Sequence, residues 1–218
     1  MEKILITGAS GYIGRQLKFK ADRPTHQELD LTNEHSCWNY KWDGDIIVHC
    51  ANSGTFKNSS ELDLKHNLTM MFNLKNRWPK AKIITFGSGA MFDKRYPIIK
   101  AKETDIAYPT DYYGMYKRLL LGIPDVTLVI FGMYGDTGFI KECRNGNGKI
   151  VIYQDVKFSW TKEENINKYV EWSFDKKGVY NICEFDMTLT EVANKEKAEI
   201  TYLHEGMGNE YTGKITIR

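Results

Sequence analysis

Tyr113 and Lys117 stand four positions apart, the spacing that puts two side chains one turn apart on the same face of a helix. A phenol beside an ammonium is equipment for moving a proton. Tyrosine ionises near ~10 in isolation, and a close positive charge favours the phenolate and draws that value towards neutrality. Such a group can protonate a ketone oxygen as hydride reaches the carbon, or take the proton from an alcohol in the reverse direction. A serine hydroxyl at a strand end can hold the reacting oxygen in register. Ser88, after the apolar run Lys82 to Gly87, has that position. Tyrosine four residues before lysine is a common pattern: the sequence has 13 tyrosines and 23 lysines and holds three such pairs, Tyr96/Lys100, Tyr113/Lys117 and Tyr153/Lys157. Pro97 steers Tyr96 away from helical backbone, and Tyr153 closes a strand-like run. Only Tyr113 opens a helix, expected from about Tyr112 to Leu121 and ended by Gly122 and Pro124.

Groups so far apart in the chain must be gathered by a framework, and the hydropathy pattern outlines it. Lys3 to Thr7, Asp45 to Cys50, Lys82 to Gly87 and Val126 to Phe131 are short apolar runs of strand character. Between the second and third, Ser59-Ser60 can cap a helix that Pro79 stops after Trp78. This alternation predicts an α/β fold, a Rossmann-type doubly wound parallel sheet covered on both faces. The first run leads into Gly8-Ala9-Ser10-Gly11-Tyr12-Ile13-Gly14 and then a helix-compatible stretch to about Lys20. Strand, glycine turn and helix open a βαβ unit. Glycines there permit the sharp turn, the approach of backbone to a pyrophosphate, and close helix–sheet packing, while a helix N-terminus offers free N–H groups to phosphate.

Beyond Gly132 the pattern loosens. Asn145 to Gly148 reads as a turn before the strand-like Lys149 to Tyr153. Thr161-Lys162-Glu163-Glu164 fits a capping box ahead of helically spaced Ile166, Tyr169, Val170 and Phe174. Gly178 to Cys183 and Glu199 to Leu203 read as short strands. The expected organisation is a dinucleotide-binding domain over 1–132 and a small, reduced C-terminal substrate lobe over 133–218. The two interleave if strands from 178–183 return to the first sheet.

Composition excludes several classes. A chain of 218 residues, 42% hydrophobic and 27% charged, is long and apolar enough to bury a core. Thirty basic against 28 acidic side chains leave +2, no electrostatic footprint for nucleic acid. The longest apolar runs fall far short of the ~20 residues of a membrane span, and the glycines at 8, 11 and 14 interrupt any secretory h-region. Four scattered cysteines, with no C-x-x-C pair, argue against a zinc site and a disulfide framework. The expectation is a cytoplasmic protein without metal, nucleic-acid or membrane partners.

The segment Thr7-Gly8-Ala9-Ser10-Gly11-Tyr12-Ile13-Gly14 resembles the short-chain dehydrogenase/reductase superfamily, in particular its extended branch of nucleotide-sugar epimerases, dehydratases and reductases. Pro109 to Lys117 is similar to that family's P-x-x-x-Y-x-x-x-K, and Phe86 to Phe92 to its serine motif. Phe131 to Gly135, Lys157 to Trp160, Gly178 to Ile182 and Asn209 to Gly213 resemble later family segments. The resemblance implies NAD or NADP as cofactor, held by Gly8, Ser10, Gly11, Tyr12, Ile13, Gly14, Asp30, Leu31, Ala51 and Asn67 together with Tyr113 and Lys117. It also implies a nucleotide-sugar substrate, catalysis by Ser88, Tyr113 and Lys117, and a homodimer through helices 59–78 and 112–121. Asp30 admits two readings, on the adenosine ribose or, within Glu28 to Thr32, at the adenine edge. On the second, the family's second strand has shrunk into Ala21 to His26, and Arg23 or His26 is a candidate for a 2′-phosphate. Ser88-Gly89-Ala90 replaces the Thr-Asp-Glu run of sugar dehydratases, and Ala90 the cysteine of 3,5-epimerase/reductases. What remains is an epimerase or a keto-reductase. The chain is shorter than extended members generally are, so the alternative is a catalytically lapsed cofactor-binding regulatory or scaffold protein.

Overall fold

The apolar runs do become strands. A computed structural model describes residues 2–55, 57–93, 95–145, 149–204 and 206–214. In chain order its elements are β1 (Ile4–Thr7), α1 (Glu34–Asn39), β2 (Ile46–His49), α2 (Glu61–Arg77), β3 (Lys82–Ser88), β4 (Ile98–Ala101), α3 (Tyr112–Leu119), β5 (Val126–Ile130), β6 (Gly132–Tyr134), α4 (Gly138–Asn145), β7 (Lys149–Ile152), β8 (Lys157–Lys162), α5 (Ile166–Trp172), β9 (Gly178–Asn181), β10 (Phe185–Thr188), α6 (Leu189–Lys195), β11 (Glu199–Tyr202) and β12 (Tyr211–Gly213).

Five strands pair in the order β1-β2-β3-β5-β9, all parallel. Parallel neighbours need long crossovers, and the intervening helices supply them. Side chains alternate across the sheet. Leu5, Ile47 and Ile83 pack on the side of α1, α2 and α3, against Met71, Leu74 and Tyr116. Ile6, Val48, Ile84 and Phe86 point the other way, against Leu17 and the Ile166, Tyr169 and Val170 face of α5. Both faces are thus covered, as strands hydrophobic on both sides require. A second sheet runs β10-β8-β12-β4 with β6 also on β8, and β11 pairs with β7 in a two-stranded ribbon. β7, α4 and α6 share a separate small core around Cys143, Ile152 and Ala193.

Three local readings differ from the structure. The glycine turn opens only a 3-10 turn, Gly14–Gln16, and no helix to Lys20. The chain must reach the sheet edge by Asp22, whose backbone pairs with β1 through Ile6 N to Asp22 O (2.8 Å) and Asp22 N to Ile4 O (2.9 Å). Arg23 donates to the carbonyls of Gly14, Leu17 and Phe19, satisfying acceptors that further helical turns would have used. This single bridge is all that stands in Ala21 to His26 for a second strand. Thr161 is no helix cap: it lies in β8, fully buried, and its hydroxyl donates to Ile182 O. Capping boxes occur instead at Ser60/Asp63, ahead of α2, and at Thr188/Glu191, ahead of α6. Of the turn expected over Asn145 to Gly148, residues 146–148 lie outside the described residues.

Candidate active site

Short side chains let α3 sit flush against the end of β3. Its N-cap Asp111 accepts from Gly114 N (2.7 Å), and Tyr113 N donates to Ser59 Oγ (3.0 Å) just ahead of α2. A Cβ on Gly114 would overlap the Ala90 carbonyl, so glycine is what allows this approach. Ala90 belongs to the 3-10 turn that follows Ser88, and its N–H donates to Ser88 Oγ (3.2 Å). The start of α3 and the end of β3 therefore meet at Tyr113 and Ser88.

Lys117, one turn on, is only 7% exposed. Its ammonium donates to Phe86 O (2.8 Å) and Tyr116 Oη (3.3 Å) and lies over the rings of Tyr116 (4.5 Å) and Tyr113 (5.4 Å). Burial depresses its pKa to about 7. The Tyr113 phenol is displaced upwards, chiefly by burial, with the Ser88 hydroxyl pulling down and Asp111 pushing further up. Helical spacing predicts that Lys117 draws Tyr113 towards neutrality; with the lysine enclosed against Phe86 and Tyr116, burial dominates and raises the phenol instead.

Beneath these groups lies a buried polar row in strict register: Thr7, His49, Thr85 and Thr127, neighbours across β1, β2, β3 and β5. His49 Nδ1 bonds Thr7 Oγ1 at 2.8 Å, and Thr85 Oγ1 donates to His49 O at 3.2 Å. His49 Nε2 has no partner among the described residues. Burial, aided by the Lys117 charge, lowers its pKa to about 3, so the ring is neutral.

Ser88, Tyr113 and Lys117 line one cleft of about 820 Å³, with Tyr12 and Ile13 from the glycine turn. The opposite wall is aromatic and comes largely from the second sheet, with Phe158, Trp160 and Tyr211. Tyr12 donates to the Glu163 carboxylate, tying the turn to the segment between β8 and α5. The turn suits a dinucleotide. Gly8 has φ +66°, and a Cβ there would overlap Ala51 N; a Cβ on Gly14 would overlap Gly8 O. Gly11 is exposed, and a Cβ there would meet only Gly8 O, at 3.1 Å. Its bare outer face leaves the room a phosphate needs. With only a 3-10 turn behind it, the turn offers a phosphate loop backbone and no helix dipole.

The remaining expected cofactor contacts take mixed positions. Ser10 is exposed on the turn, and Ala51 packs beneath Gly8. Asp30 accepts from Thr32 N (2.9 Å) and Thr32 Oγ1 (2.7 Å), and His26 lies 3.8 Å from it. The Leu31 side chain is in the core under α2, and its carbonyl accepts from Asn73. The Asn67 amide bonds Ser53 N, Ser53 O and Asp63 O, holding the loop after β2. Tyr211 is one of the cleft residues to which the sequence assigns no role; the family-like Asn209 to Gly213 is its signal.

A family model described as the NAD dependent epimerase/dehydratase family matches residues 4–121. A dTDP-4-dehydrorhamnose reductase of Aggregatibacter actinomycetemcomitans is 27% identical over 168 residues, 65% of this chain and 55% of that protein's length. Among solved structures, a dTDP-4-dehydrorhamnose reductase from Bacillus anthracis in complex with NADP superposes with a TM-score of 0.80 at 17% identity, covering 99% of this chain and 90% of that one. A hypothetical dTDP-4-dehydrorhamnose reductase from Sulfolobus tokodaii gives 0.81 at 18% identity, covering 97% and 92%. The matched segment spans the glycine turn, Ser88, Tyr113 and Lys117, and the chain belongs to the NAD dependent epimerase/dehydratase family.

Proposed function

We propose that the chain is an NAD(P)H-dependent reductase of a keto group on a nucleotide-linked sugar. The observation that carries this reading is the single cleft shared by Ser88, Tyr113, Lys117 and the glycine turn's Tyr12 and Ile13. Reduction is favoured over epimerisation by the relatives, which carry reductase names.

In this reading Gly8, Ser10, Gly11 and Gly14 cradle the cofactor's phosphates, and Asp30 borders its adenosine end. The nicotinamide, when bound, supplies hydride. Ser88 holds the carbonyl oxygen, Tyr113 delivers a proton to it, and the Lys117 ammonium, 5.4 Å from the Tyr113 ring, stabilises the phenolate left behind. The second sheet and the elements packed on it, drawn largely from 133–218, form the sugar-facing lobe, while α5 and β9 return to the parallel sheet. Four unpaired cysteines suit a reducing compartment such as the cytoplasm. An exposed apolar stripe of Tyr112, Met115 and Leu119 on α3, beside Leu62 and Phe72 on α2, is the surface of a homodimer.

The test is spectrophotometric. Oxidation of NADPH or NADH is followed with dTDP- and GDP-linked 4-keto sugars, for wild type and Tyr113→Phe. Stoichiometric cofactor consumption, abolished by the variant, is expected. Interconversion of sugar epimers without net consumption, or turnover unchanged in the variant, overturns the reading.

A further inference from the structure

β12 threads between β8 and β4, and Tyr211 sits in register with Phe158 on one side and Ile98 on the other. Its ring is fixed by edge contacts with Phe131 (centroids 5.5 Å) and Phe158 (5.1 Å). The hydroxyl end reaches the residue next to Ser88: a Cβ on Gly89 would lie 2.7 Å from Tyr211 Oη. Bare Gly89 is what leaves this oxygen room. The phenol shares the cleft with Ser88 and Tyr113, so its oxygen is available to a molecule bound there. Burial and the neighbouring Tyr113 and Asp111 keep the phenol protonated, hence a donor. Among the described lining residues only Lys117 and Glu210 are charged, so hydroxyl groups carry most of the polar recognition.

We propose that Tyr211 is a specificity-determining residue of this site, donating a hydrogen bond to an oxygen on the carbon next to the reacting carbonyl, so that the preferred substrate is an α-hydroxy ketone. The proposal rests on the reductase reading above. Ser88 and Tyr113 take the carbonyl oxygen from one side, and Tyr211, arriving beside Gly89 from the second sheet, takes its neighbour. The wall that the C-terminal segment contributes thus reads the position adjacent to the chemistry.

The probes are a dTDP-linked 4-keto-6-deoxyhexose with its 3-hydroxyl and the 3-deoxy analogue, each assayed with NADPH against wild type and Tyr211→Phe. Phenylalanine keeps the ring and its packing, and thermal melting checks the fold. Wild type is expected to favour the hydroxylated ketone in kcat/KM by about tenfold, and Y211F to lose about that factor on this substrate alone, with less than a twofold change on the analogue. Equal loss on both ketones means a structural role and overturns the proposal, as does no loss on either. The wild-type preference needs no variant, so its absence overturns the proposal even where Y211F is unstable. A wild type that reduces neither ketone and shows no NADPH-dependent binding of either defeats the reductase reading itself, an outcome distinct from an active enzyme indifferent to the 3-hydroxyl.

Discussion

Tyr113 and Lys117 are both pushed towards their neutral forms by burial, which ties activity to stability at the same two residues. Tyr113→Phe removes the proton donor while leaving the ring, and kcat should fall by roughly 10²–10⁴ with little change in melting temperature. Lys117 behaves differently. Its folded pKa, about 7, lies below the ordinary lysine value of 10.5, so the unfolded chain binds more protons between those values. Stability from this group therefore rises with pH across that window. Lys117→Met should be inactive yet more resistant to urea than wild type at pH 7, and the gap should close as pH climbs towards 10.5. His49 gives the matching acid-side case. Held neutral with a pKa of about 3 against 6.5, it costs stability progressively as pH falls from 6.5 towards 3. His49→Gln should flatten that part of a urea-midpoint profile.

At the scale of elements, the site depends on two close approaches that side chains forbid. A Cβ on Gly14 collides with the Gly8 carbonyl, backbone that cannot swing away. Gly14→Ala should lower the melting temperature by several degrees and abolish NADPH-induced stabilisation, whereas a Cβ on Gly11 meets only Gly8 O and should spare the fold while weakening cofactor binding. Gly114→Ala drives α3 off the turn after Ser88 and should separate the serine from the tyrosine, costing turnover before global stability. The strand at Ser88 and the helix at Tyr113 were legible from hydropathy and from the Pro-Gly stop signals. The failed helix after Gly14 was not, because its residues are compatible with a helix. What cuts it short is the return of Asp22 to the sheet edge and the Arg23 guanidinium on three carbonyls.

Across the whole molecule, the cleft joins the parallel sheet to the second sheet, so cofactor and substrate should stabilise the chain together by mass action. NADPH or NADH alone should raise the melting temperature, with a further rise on adding a keto sugar nucleotide. The apolar stripe on α3 and α2 leads to a second expectation. Sedimentation should give a dimer, and Met115→Glu with Leu119→Glu a monomer, since a charge buried in that interface has no partner to offset its desolvation.

The amino-acid order alone determined the parallel α/β framework, the glycine turn and the candidate Ser88, Tyr113 and Lys117, because alternation, turn residues and helical spacing are local properties. It also located Asn67 in a helix and Leu31 in the Glu28 to Thr32 segment, but not what either would touch. Tertiary structure decided those matters: Asn67 holds the Ser53 loop, Leu31 joins the core, and Lys117 faces Phe86 and Tyr116. It also brought Tyr211, 98 residues beyond Tyr113, to the same cleft. Contacts and desolvation depend on which distant segments fold against a side chain, and no spacing along the chain encodes that.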